Sequence, residues 1–221
     1  MLKIVVFDCG YGGEFFADQL ESEVPVLEII RVIDWRHANE IQSSPKKARK
    51  YAEIALRPYI GKADIIVFAN YLLSITSLKY FKRKYKTQNF IGLKLKYPDS
   101  FVKYNVLILA TKSITKTINY HNFLLHLKRE TKTLSLDDWP AKIDDGELSE
   151  TEVRATIQHF LNDTSFEPKE IILACSQFSD IKEELANTFS YNIKIYDGFS
   201  DTIRECCKKL NLRGGLGKRT K

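Results

Sequence analysis

Four short runs of apolar residues recur along the chain, and each run ends in small or polar side chains. The runs cover residues 3–7, 65–68, 106–109 and 171–174. Unbroken apolar runs of this length, bounded by charged or polar residues, are typical of parallel strands that are buried on both faces. Open α/β sheets bind their ligands at the carboxyl ends of such strands. The residues that follow the four runs are therefore the first candidates for a functional site.

Helical periodicity fills most of the sequence between these strands. The helices are predicted near residues 13–22, 44–60, 73–86, 149–162, 179–189 and 199–210, and further strands near 26–34, 89–95, 132–136 and 192–196. Ser44 before Pro45, and Ser149 three residues before Glu152, are helix-start signals. Residues 137–147 form the longest polar connection and are predicted to loop over the surface. Strands that alternate with helices indicate an α/β fold with parallel sheets.

The strand ends fall into two similar halves, separated by a break near residues 96–102. Asp8 and Ala69 follow strands of the first half, and Ala110 and Cys175 close strands of the second. We therefore predict two pseudo-symmetric α/β domains whose parallel sheets face a central cleft. The predicted domains are residues 1–96 together with 197–221, and residues 97–196.

Composition and charge are those of an ordinary soluble globular protein. Hydrophobic residues make up 44% and charged residues 28% of the chain, and no apolar run approaches the roughly 20 residues of a membrane helix. Because the start of the chain has no signal-peptide pattern, a cytoplasmic location is expected. The net charge of +6 comes from 34 basic and 28 acidic residues that are dispersed along the chain. We expect neither a nucleic-acid partner nor a membrane.

The basic residues include two local groups, and both are expected to be solvated. One group lies on a predicted helix, at Lys79, Lys82, Arg83, Lys84 and Lys86, and the other near the carboxyl terminus, at Lys218, Arg219 and Lys221. A dedicated nucleic-acid binder would carry a recognisable module, and the sequence shows none.

The four cysteines form no CxxC pair, so no zinc site and no disulfide framework is predicted. Cys206 and Cys207 lie within a predicted helix and are expected to be packing residues, because buried thiols behave as small hydrophobic side chains. Cys175 ends a strand directly before a predicted helix, where main-chain N–H groups and the helix dipole favour a thiolate. Such a thiol acts as a base, an acid or a nucleophile. A buried core cysteine is the alternative reading of Cys175.

Five motifs in order along the chain resemble those of the aspartate/glutamate racemase superfamily, and of glutamate racemase in particular. Residues 4–13 are similar to the family's opening strand and its Asp-Ser-Gly-x-Gly-Gly turn, and residues 65–71 lie where the family carries Cys-Asn-Thr. Residues 107–111 resemble its Leu-Ala-Thr strand end. Residues 171–177 lie where it has Gly-Cys-Thr-His, and residues 196–198 resemble the Asp-Ser-Gly before its last helix.

The differences from the family fall where its chemistry takes place. Family racemases hold two cysteines, one on each face of the substrate α-carbon. Cys175 fills the second position, but Ala69 occupies the first, and a methyl group cannot exchange a proton. Tyr71 replaces a hydroxyl residue and Gln177 replaces a histidine, whereas Cys9 brings a thiol where the family has serine.

The resemblance implies cofactor-independent proton transfer at the α-carbon of an acidic amino acid, with no metal, and a place in amino-acid metabolism and peptidoglycan biosynthesis. The candidate catalytic residues are Cys175, Asp8 and Cys9. The candidate substrate-binding residues are Asn70, Tyr71, Thr111, Thr117, Ser176 and Gln177. Hydroxyl and amide donors suit a substrate carboxylate or an enediolate. The expected partner is a small-molecule carboxylate or amino acid, and a homodimer is one candidate assembly.

Three functions remain open at this point. The first is a degenerate glutamate or aspartate racemase. The second is a one-cysteine decarboxylase or isomerase of the same superfamily, in which a single thiol protonates one face of an enediolate. The third is a non-catalytic ligand-binding or regulatory protein that keeps the racemase fold.

Overall fold

The computed structural model describes residues 1–94, 105–127 and 130–212. These residues form two four-stranded sheets in which all paired strands are parallel. The strand order is β2-β1-β3-β4 in the first sheet and β6-β5-β7-β8 in the second. The predicted α/β class with two parallel sheets is confirmed.

The first sheet and its helices come from the amino-terminal part of the chain. Their bounds are β1 Leu2–Asp8, α1 Tyr11–Glu23, β2 Leu27–Ile33, α2 Ala38–Ser43, α3 Pro45–Leu56, β3 Ile65–Phe68, α4 Tyr71–Thr76, α5 Leu78–Lys84 and β4 Phe90–Gly92. The second sheet and its helices are β5 Val106–Ala110, α6 Lys112–Thr115, α7 Ile118–His126, β6 Thr131–Ser135, α8 Trp139–Asp144, α9 Glu150–Thr164, β7 Glu170–Leu173, α10 Lys182–Asn187 and β8 Lys194–Tyr196. The last helix, α11 Phe199–Lys209, packs with α1 and β4 of the first sheet.

The chain divides into two compact units, each built around one sheet. The first unit holds Met1–Lys94 together with the segment that begins at Gly198, and the second unit ends at Asp197. The predicted boundary between residues 96 and 97 lies outside the described residues, as does the break predicted near residues 96–102.

Aromatic and small residues fill the core of the first unit. Phe7 of β1 lies beside Phe68 of β3 in the sheet, and the Phe68 ring meets Phe81 edge to face with 5.0 Å between ring centroids. Helix α3 places Ala48 and Ala52, four residues apart, against this cluster. Burying each such aromatic side chain stabilises the fold by about 1.5–3 kcal/mol. The small residues let α3 approach the sheet closely.

The core of the second unit follows the same plan, with β5 between β6 and β7. Leu109 and Leu173 are neighbours in the register of these strands, and both are fully buried. Helix α9 presents Val153 and Ile157, four residues apart, to the interior. An apolar pair at this spacing lies on one helix face, which is why α9 packs along the sheet.

The prediction of a surface loop over residues 137–147 is wrong. Residues Trp139–Asp144 form α8, in which Pro140 occupies the first turn. Trp139 and Ile143, four residues apart, are buried, and the Trp139 ring meets Phe178 edge to face. Burial of one large aromatic ring outweighs the polar character of the flanking residues. The segment therefore packs against the turn that carries Phe178.

The predicted helix over residues 73–86 is two helices, α4 and α5, separated at Ser77. Ser77 leaves the helical conformation with φ −128°. The Arg49 guanidinium donates to the Thr76 carbonyl at 2.8 Å and to the Ser77 hydroxyl at 3.3 Å. These bonds satisfy polar groups that a continuous helix would bond internally. Because they come from α3, far along the chain, local periodicity does not reveal the break.

The helix-start signals mark the correct residues. Ser149 is the N-cap of α9 and its hydroxyl accepts from the Glu152 N–H at 3.2 Å, as predicted. Ser44 is the N-cap residue before Pro45, although its side chain makes no capping hydrogen bond.

The remaining predictions concern two cysteines, membrane helices, metal ligands and the basic group near the carboxyl terminus. Cys206 and Cys207 are buried on α11, which confirms their predicted packing role. Within residues 1–94, 105–127 and 130–212, no helix is long and apolar enough to span a bilayer. In the same ranges no three His, Cys, Asp or Glu side chains are grouped as metal ligands. The basic group at Lys218, Arg219 and Lys221 lies outside the described residues.

Candidate functional site

The carboxyl edge of the first sheet is organised around the carboxylate of Asp8, the last residue of β1. Asp8 Oδ1 accepts from the Cys9 N–H at 2.7 Å and from Asn70 Nδ2 at 2.9 Å. Asn70 follows β3, the strand next to β1, and its Nδ2 also lies 3.5 Å from Cys9 Sγ. Three predicted site residues, Asp8, Cys9 and Asn70, are therefore in mutual contact. The bonds offset the cost of burying a carboxylate that has no solvent exposure.

Asn70 has a second, structural role at the start of α4. Its Oδ1 accepts from the Leu73 N–H at 2.9 Å, so the side chain caps the helix while its amide nitrogen reaches Asp8. Ser74, one turn later, donates to the Asn70 carbonyl and accepts from the Leu93 N–H at 3.0 Å. The backbone around Asn70 is thereby fixed from two sides, and the amide cannot rotate without breaking the cap.

Gly13 lets helix α1 approach this edge. A Cβ atom at position 13 would lie 2.5 Å from the Asp8 Cβ and 2.7 Å from the Ile33 Cδ1. Real side chains do not approach so closely, so any other residue at position 13 would push α1 away from Asp8. This close packing explains the glycine at position 13.

Ala69 and Tyr71 flank Asn70, and both are buried. The Ala69 N–H donates to the Phe7 carbonyl at 2.9 Å, so the chain stays extended beside β1. A Cβ atom on Gly198 would lie 2.8 Å from the Tyr71 hydroxyl oxygen. Tyr71 therefore packs beside Gly198, which has φ +75° and precedes α11.

Cys9 is a core thiol in this structure. It has a relative exposure of 1% and belongs to the apolar cluster that contains Phe7 and Ile41. Ile41 lies in α2. The side chains of this part of the edge are therefore directed into the core of the first unit.

The carboxyl edge of the second sheet holds a more exposed thiol. Cys175 lies just past β7, after Ala174, whose N–H donates to the Leu109 carbonyl at 2.8 Å. Cys175 is half-buried, whereas Ser176 and Gln177 are buried. Cys175 Sγ donates to Gln177 Oε1 at 3.1 Å, and Ser176 Oγ donates to the same oxygen at 3.3 Å. Three further predicted site residues are thus brought together.

The predicted helix directly after Cys175 is absent. Residues Ser176–Ser179 form one short 3-10 turn, and α10 begins only at Lys182. A four-residue turn aligns few peptide dipoles. The helix dipole invoked for Cys175 therefore comes from no α-helix directly after it, and the preference of this thiol for the thiolate stays a prediction.

The turn that carries Cys175 is anchored at both ends. The Ser179 hydroxyl donates to Asp197 Oδ2 at 3.2 Å, and Lys182 forms an ion pair with the same carboxylate. Phe178, in the middle of the turn, packs on Trp139. Asp197 follows β8, the strand beside β7. Its supporting role did not follow from the sequence, although the polar residue after a strand end was a signal that could have revealed it.

The two predicted threonines have different surroundings. Thr111 follows β5, is buried, and shares a 2.8 Å hydrogen bond with Ser113 Oγ. Thr117 caps α7, because its hydroxyl accepts from the Tyr120 N–H at 3.1 Å and donates to the Ile114 carbonyl at 2.8 Å. Helix capping accounts for both bonds of Thr117, and only Thr111 lies directly at the strand edge.

A histidine that the sequence did not single out lies near Asp8. His37 Nδ1 is 2.9 Å from both carboxylate oxygens of Asp34, and the Asp34 N–H donates to the Asp8 carbonyl at 2.9 Å. The imidazole also stacks on Tyr51 with 3.9 Å between ring centroids. The Asp-x-x-His spacing after a strand is the pattern that could have indicated this pair.

Known proteins resemble this chain both in sequence and in structure. No family model matches the chain. A glutamate racemase of Clostridium perfringens strain SM101 is 25% identical over 223 residues, which covers 96% of this chain and 86% of that protein. Crystal structures of glutamate racemase from Campylobacter jejuni and from Escherichia coli, the latter in complex with L-glutamate and an activator, superpose with TM-scores of 0.78 and 0.77.

The structural matches extend over almost the whole chain. The Campylobacter jejuni structure is 20% identical and covers 99% of this chain and 89% of its own. The Escherichia coli structure is 17% identical and covers 96% of this chain and 83% of its own. The resemblance seen in the sequence motifs is confirmed. The chain is a homologue of the glutamate racemases and has the fold of the aspartate/glutamate racemase superfamily.

Proposed function

We propose that the chain is a racemase-type isomerase that binds glutamate or aspartate and transfers a proton on one face of the α-carbon. The observation that carries the proposal is the contrast between two matched strand ends. By the sequence resemblance, the half-buried thiol of Cys175 corresponds to the family's second cysteine, and the buried methyl group of Ala69 corresponds to the first. The chain therefore keeps one half of a two-thiol mechanism.

The roles of the other residues follow from their chemistry. Cys175 exchanges its proton with the α-carbon, and the planar intermediate carries its negative charge on the substrate carboxylate. Hydroxyl donors such as Ser176 and Thr111 stabilise that charge as it develops. Asp8 is suited to orient Cys9 and Asn70, because its fully buried carboxylate accepts from the Cys9 N–H and from the Asn70 amide. The proposed chemistry uses neither a metal nor an organic cofactor.

Acidic amino acids are the proposed substrate class because of the homology. The curated relative is a glutamate racemase, and the Escherichia coli glutamate racemase was crystallised with L-glutamate. A racemase that supplies D-glutamate would serve peptidoglycan biosynthesis. In this chain we propose weak or one-sided proton transfer in place of efficient inversion, because Ala69 removes one of the two proton-transfer groups.

Isotope exchange tests the proposal. Each enantiomer of glutamate and aspartate is incubated with the protein in D₂O, and α-deuteration and chirality are followed separately. The proposal predicts deuterium in a single enantiomer with little inversion, and no exchange by Cys175→Ser. Equal deuteration of both enantiomers by the native chain, with rapid inversion, would contradict it.

A non-catalytic binding protein is the second candidate, and the first sheet favours it. The thiol of Cys9 lies in the apolar core, and the amide of Asn70 is bonded to both Asp8 and α4. These residues are arranged as a rigid support. Titration calorimetry with the same amino acids would separate the candidates, because binding without any deuterium exchange is the result expected of a binding protein.

A further inference from the structure

We infer that Gln177 is a positioning residue that holds Cys175 in its protonated thiol form, so that the resting protein presents a proton donor. The inference rests on the proposed function for the identity of the proton acceptor. The state of the thiol itself can be measured without any substrate.

The geometry of the turn carries the inference. Two donors, the Cys175 thiol at 3.1 Å and the Ser176 hydroxyl at 3.3 Å, meet one acceptor, Gln177 Oε1. Gln177 is itself buried, with a relative exposure of 3%. The turn is held by Phe178 against Trp139 and by Ser179 on Asp197. The amide oxygen is therefore presented to the thiol by a rigid support.

The chemistry of the amide explains the effect on the thiol. A hydrogen bond that the neutral form donates is lost when that form ionises, so the bond favours the thiol over the thiolate. An amide side chain does not titrate, and its oxygen carries partial negative charge. A histidine, which the resemblance places at position 177 in the family, can instead take the proton and pair with the thiolate. With glutamine at position 177 in place of histidine, the chain lacks the group that would activate the thiol as a base.

The bond from Cys175 to Gln177 affects proton donation and proton abstraction differently. A protonated Cys175 gives its proton to an α-carbanion: the S–H bond breaks, the C–H bond forms, and the thiolate that remains recovers a proton from water. The reverse step needs the thiolate first, and that form is rare while Gln177 accepts from the thiol. Gln177 therefore makes proton donation easier than proton abstraction, which agrees with weak exchange on amino-acid substrates.

The test compares substitutions of opposite chemical character at position 177. Alkylation of Cys175 by iodoacetamide is followed by mass spectrometry across a pH series in the native chain, Gln177→His, Gln177→Glu and Gln177→Leu, with Cys175→Ser to identify the labelled peptide. The ionisable side chains on or next to the elements around the turn include Asp138, Lys142, Asp144, Asp145, Glu170, Asp180, Lys182, Glu183, Glu184, Lys194, Tyr196 and Asp197. All of them are present in every variant, so the comparison isolates residue 177.

The inference predicts that the alkylation rate of Cys175 in the native chain rises with pH. The midpoint of this rise should be no lower than the pKa of an ordinary free thiol, about 8.5. Gln177→His should react about tenfold faster at pH 7, equivalent to one unit on the pH axis, and Gln177→Glu should react more slowly than the native chain. If His, Glu and Leu at position 177 all change the rate in the same direction, the residue acts only through packing and the inference is overturned. A native midpoint well below 8, or a native Cys175 that is never labelled, would overturn it as well.

The same variants separate this inference from the proposed function. If Gln177→His activates the thiol but neither protein exchanges or binds an acidic amino acid, the proposed function fails and the inference stands. If the native chain exchanges one enantiomer while the three substitutions leave the alkylation profile unchanged, the inference fails and the proposed function stands.

Discussion

The carboxyl edges of the two sheets are built from similar strands but hold their polar residues in opposite ways. At the first edge, Asp8 is fully buried and is bonded across strands by Asn70. At the second edge, Cys175 is half-buried and its thiol donates to Gln177, two residues ahead. The first edge is thus a cross-strand network, and the second is a local turn that carries a reactive side chain.

Burial explains why the two edges differ. A carboxylate inside a protein is tolerated only when hydrogen bonds replace the water it loses. Asp8 therefore needs partners from a neighbouring strand, and Asn70 is tied in turn to α4. A thiol is a small and weakly polar group that needs no such network. Cys175 can remain partly open at the strand end, which is what a proton-transfer group requires. The difference indicates that the first edge supplies rigidity and the second supplies chemistry.

Removal of the open thiol should have the largest effect. Cys175→Ser keeps a small polar side chain but replaces the thiol with a much weaker acid, so proton exchange should fall by about 10²–10⁴-fold. The measurement is α-deuteration of glutamate and aspartate in D₂O. Cys9→Ser is the matched control at the first edge, and it should leave exchange close to the native rate. Equal losses of proton exchange in both variants would show that the two edges do not differ in their contribution to proton transfer.

Thiol labelling compares the half-buried Cys175 with the buried cysteines of α11 and needs no substrate. Burial raises the pKa of the Cys206 thiol, and burial also raises the pKa of Cys207, with a smaller contribution from Glu23. Their thiolates are therefore scarce at neutral pH. Cys175 should be alkylated roughly tenfold faster or more at pH 7.5, since each pKa unit changes the thiolate fraction tenfold. Peptide mapping of a time course measures the three rates. A slower rate at Cys175 than at Cys207 would show that Cys175 is a closed core residue.

Two helix caps give a smaller but well-controlled comparison of stability. Asn70→Ala removes the cap of α4 and also a partner of buried Asp8, so it should lower the free energy of unfolding by roughly 2–4 kcal/mol. Thr117→Ala removes the cap of α7 and a bond to the Ile114 carbonyl, but no partner of a buried carboxylate, and it should cost about 1 kcal/mol. Urea denaturation followed by circular dichroism measures both. Equal losses would mean that the bond from Asn70 to Asp8 contributes nothing net to stability.

Much of the fold could be predicted because buried parallel strands have a strong local signature. The apolar runs that end at Asp8, Ala69, Ala110 and Cys175 follow directly from burial on both faces of a sheet. The grouping of Asp8 with Asn70, and of Cys175 with Gln177, also follows once strand ends are aligned. These predictions rest on chain geometry that varies little from one protein to another.

The errors arose where distant residues decide the local structure. Helix α8 exists because Trp139 finds Phe178 on the turn after β7, and no pattern within residues 137–147 contains that information. The break at Ser77 depends on Arg49 of α3 in the same way. The short 3-10 turn after Cys175 is anchored by Asp197 from the neighbouring strand end. Long-range contacts of this kind override local propensity.

The central claim is that the methyl group of Ala69 is what prevents this chain from inverting an amino acid. The most direct test restores a thiol with Ala69→Cys and follows inversion of L- and D-glutamate and of both aspartate enantiomers by chiral chromatography in D₂O. Ala69→Ser is the control for the added volume in a buried position. The account predicts little inversion by the native chain and by Ala69→Ser, and a rise of 10²-fold or more in Ala69→Cys, which is about what one proton-transfer group contributes. Robust inversion by the native chain that survives Cys9→Ser would contradict the claim.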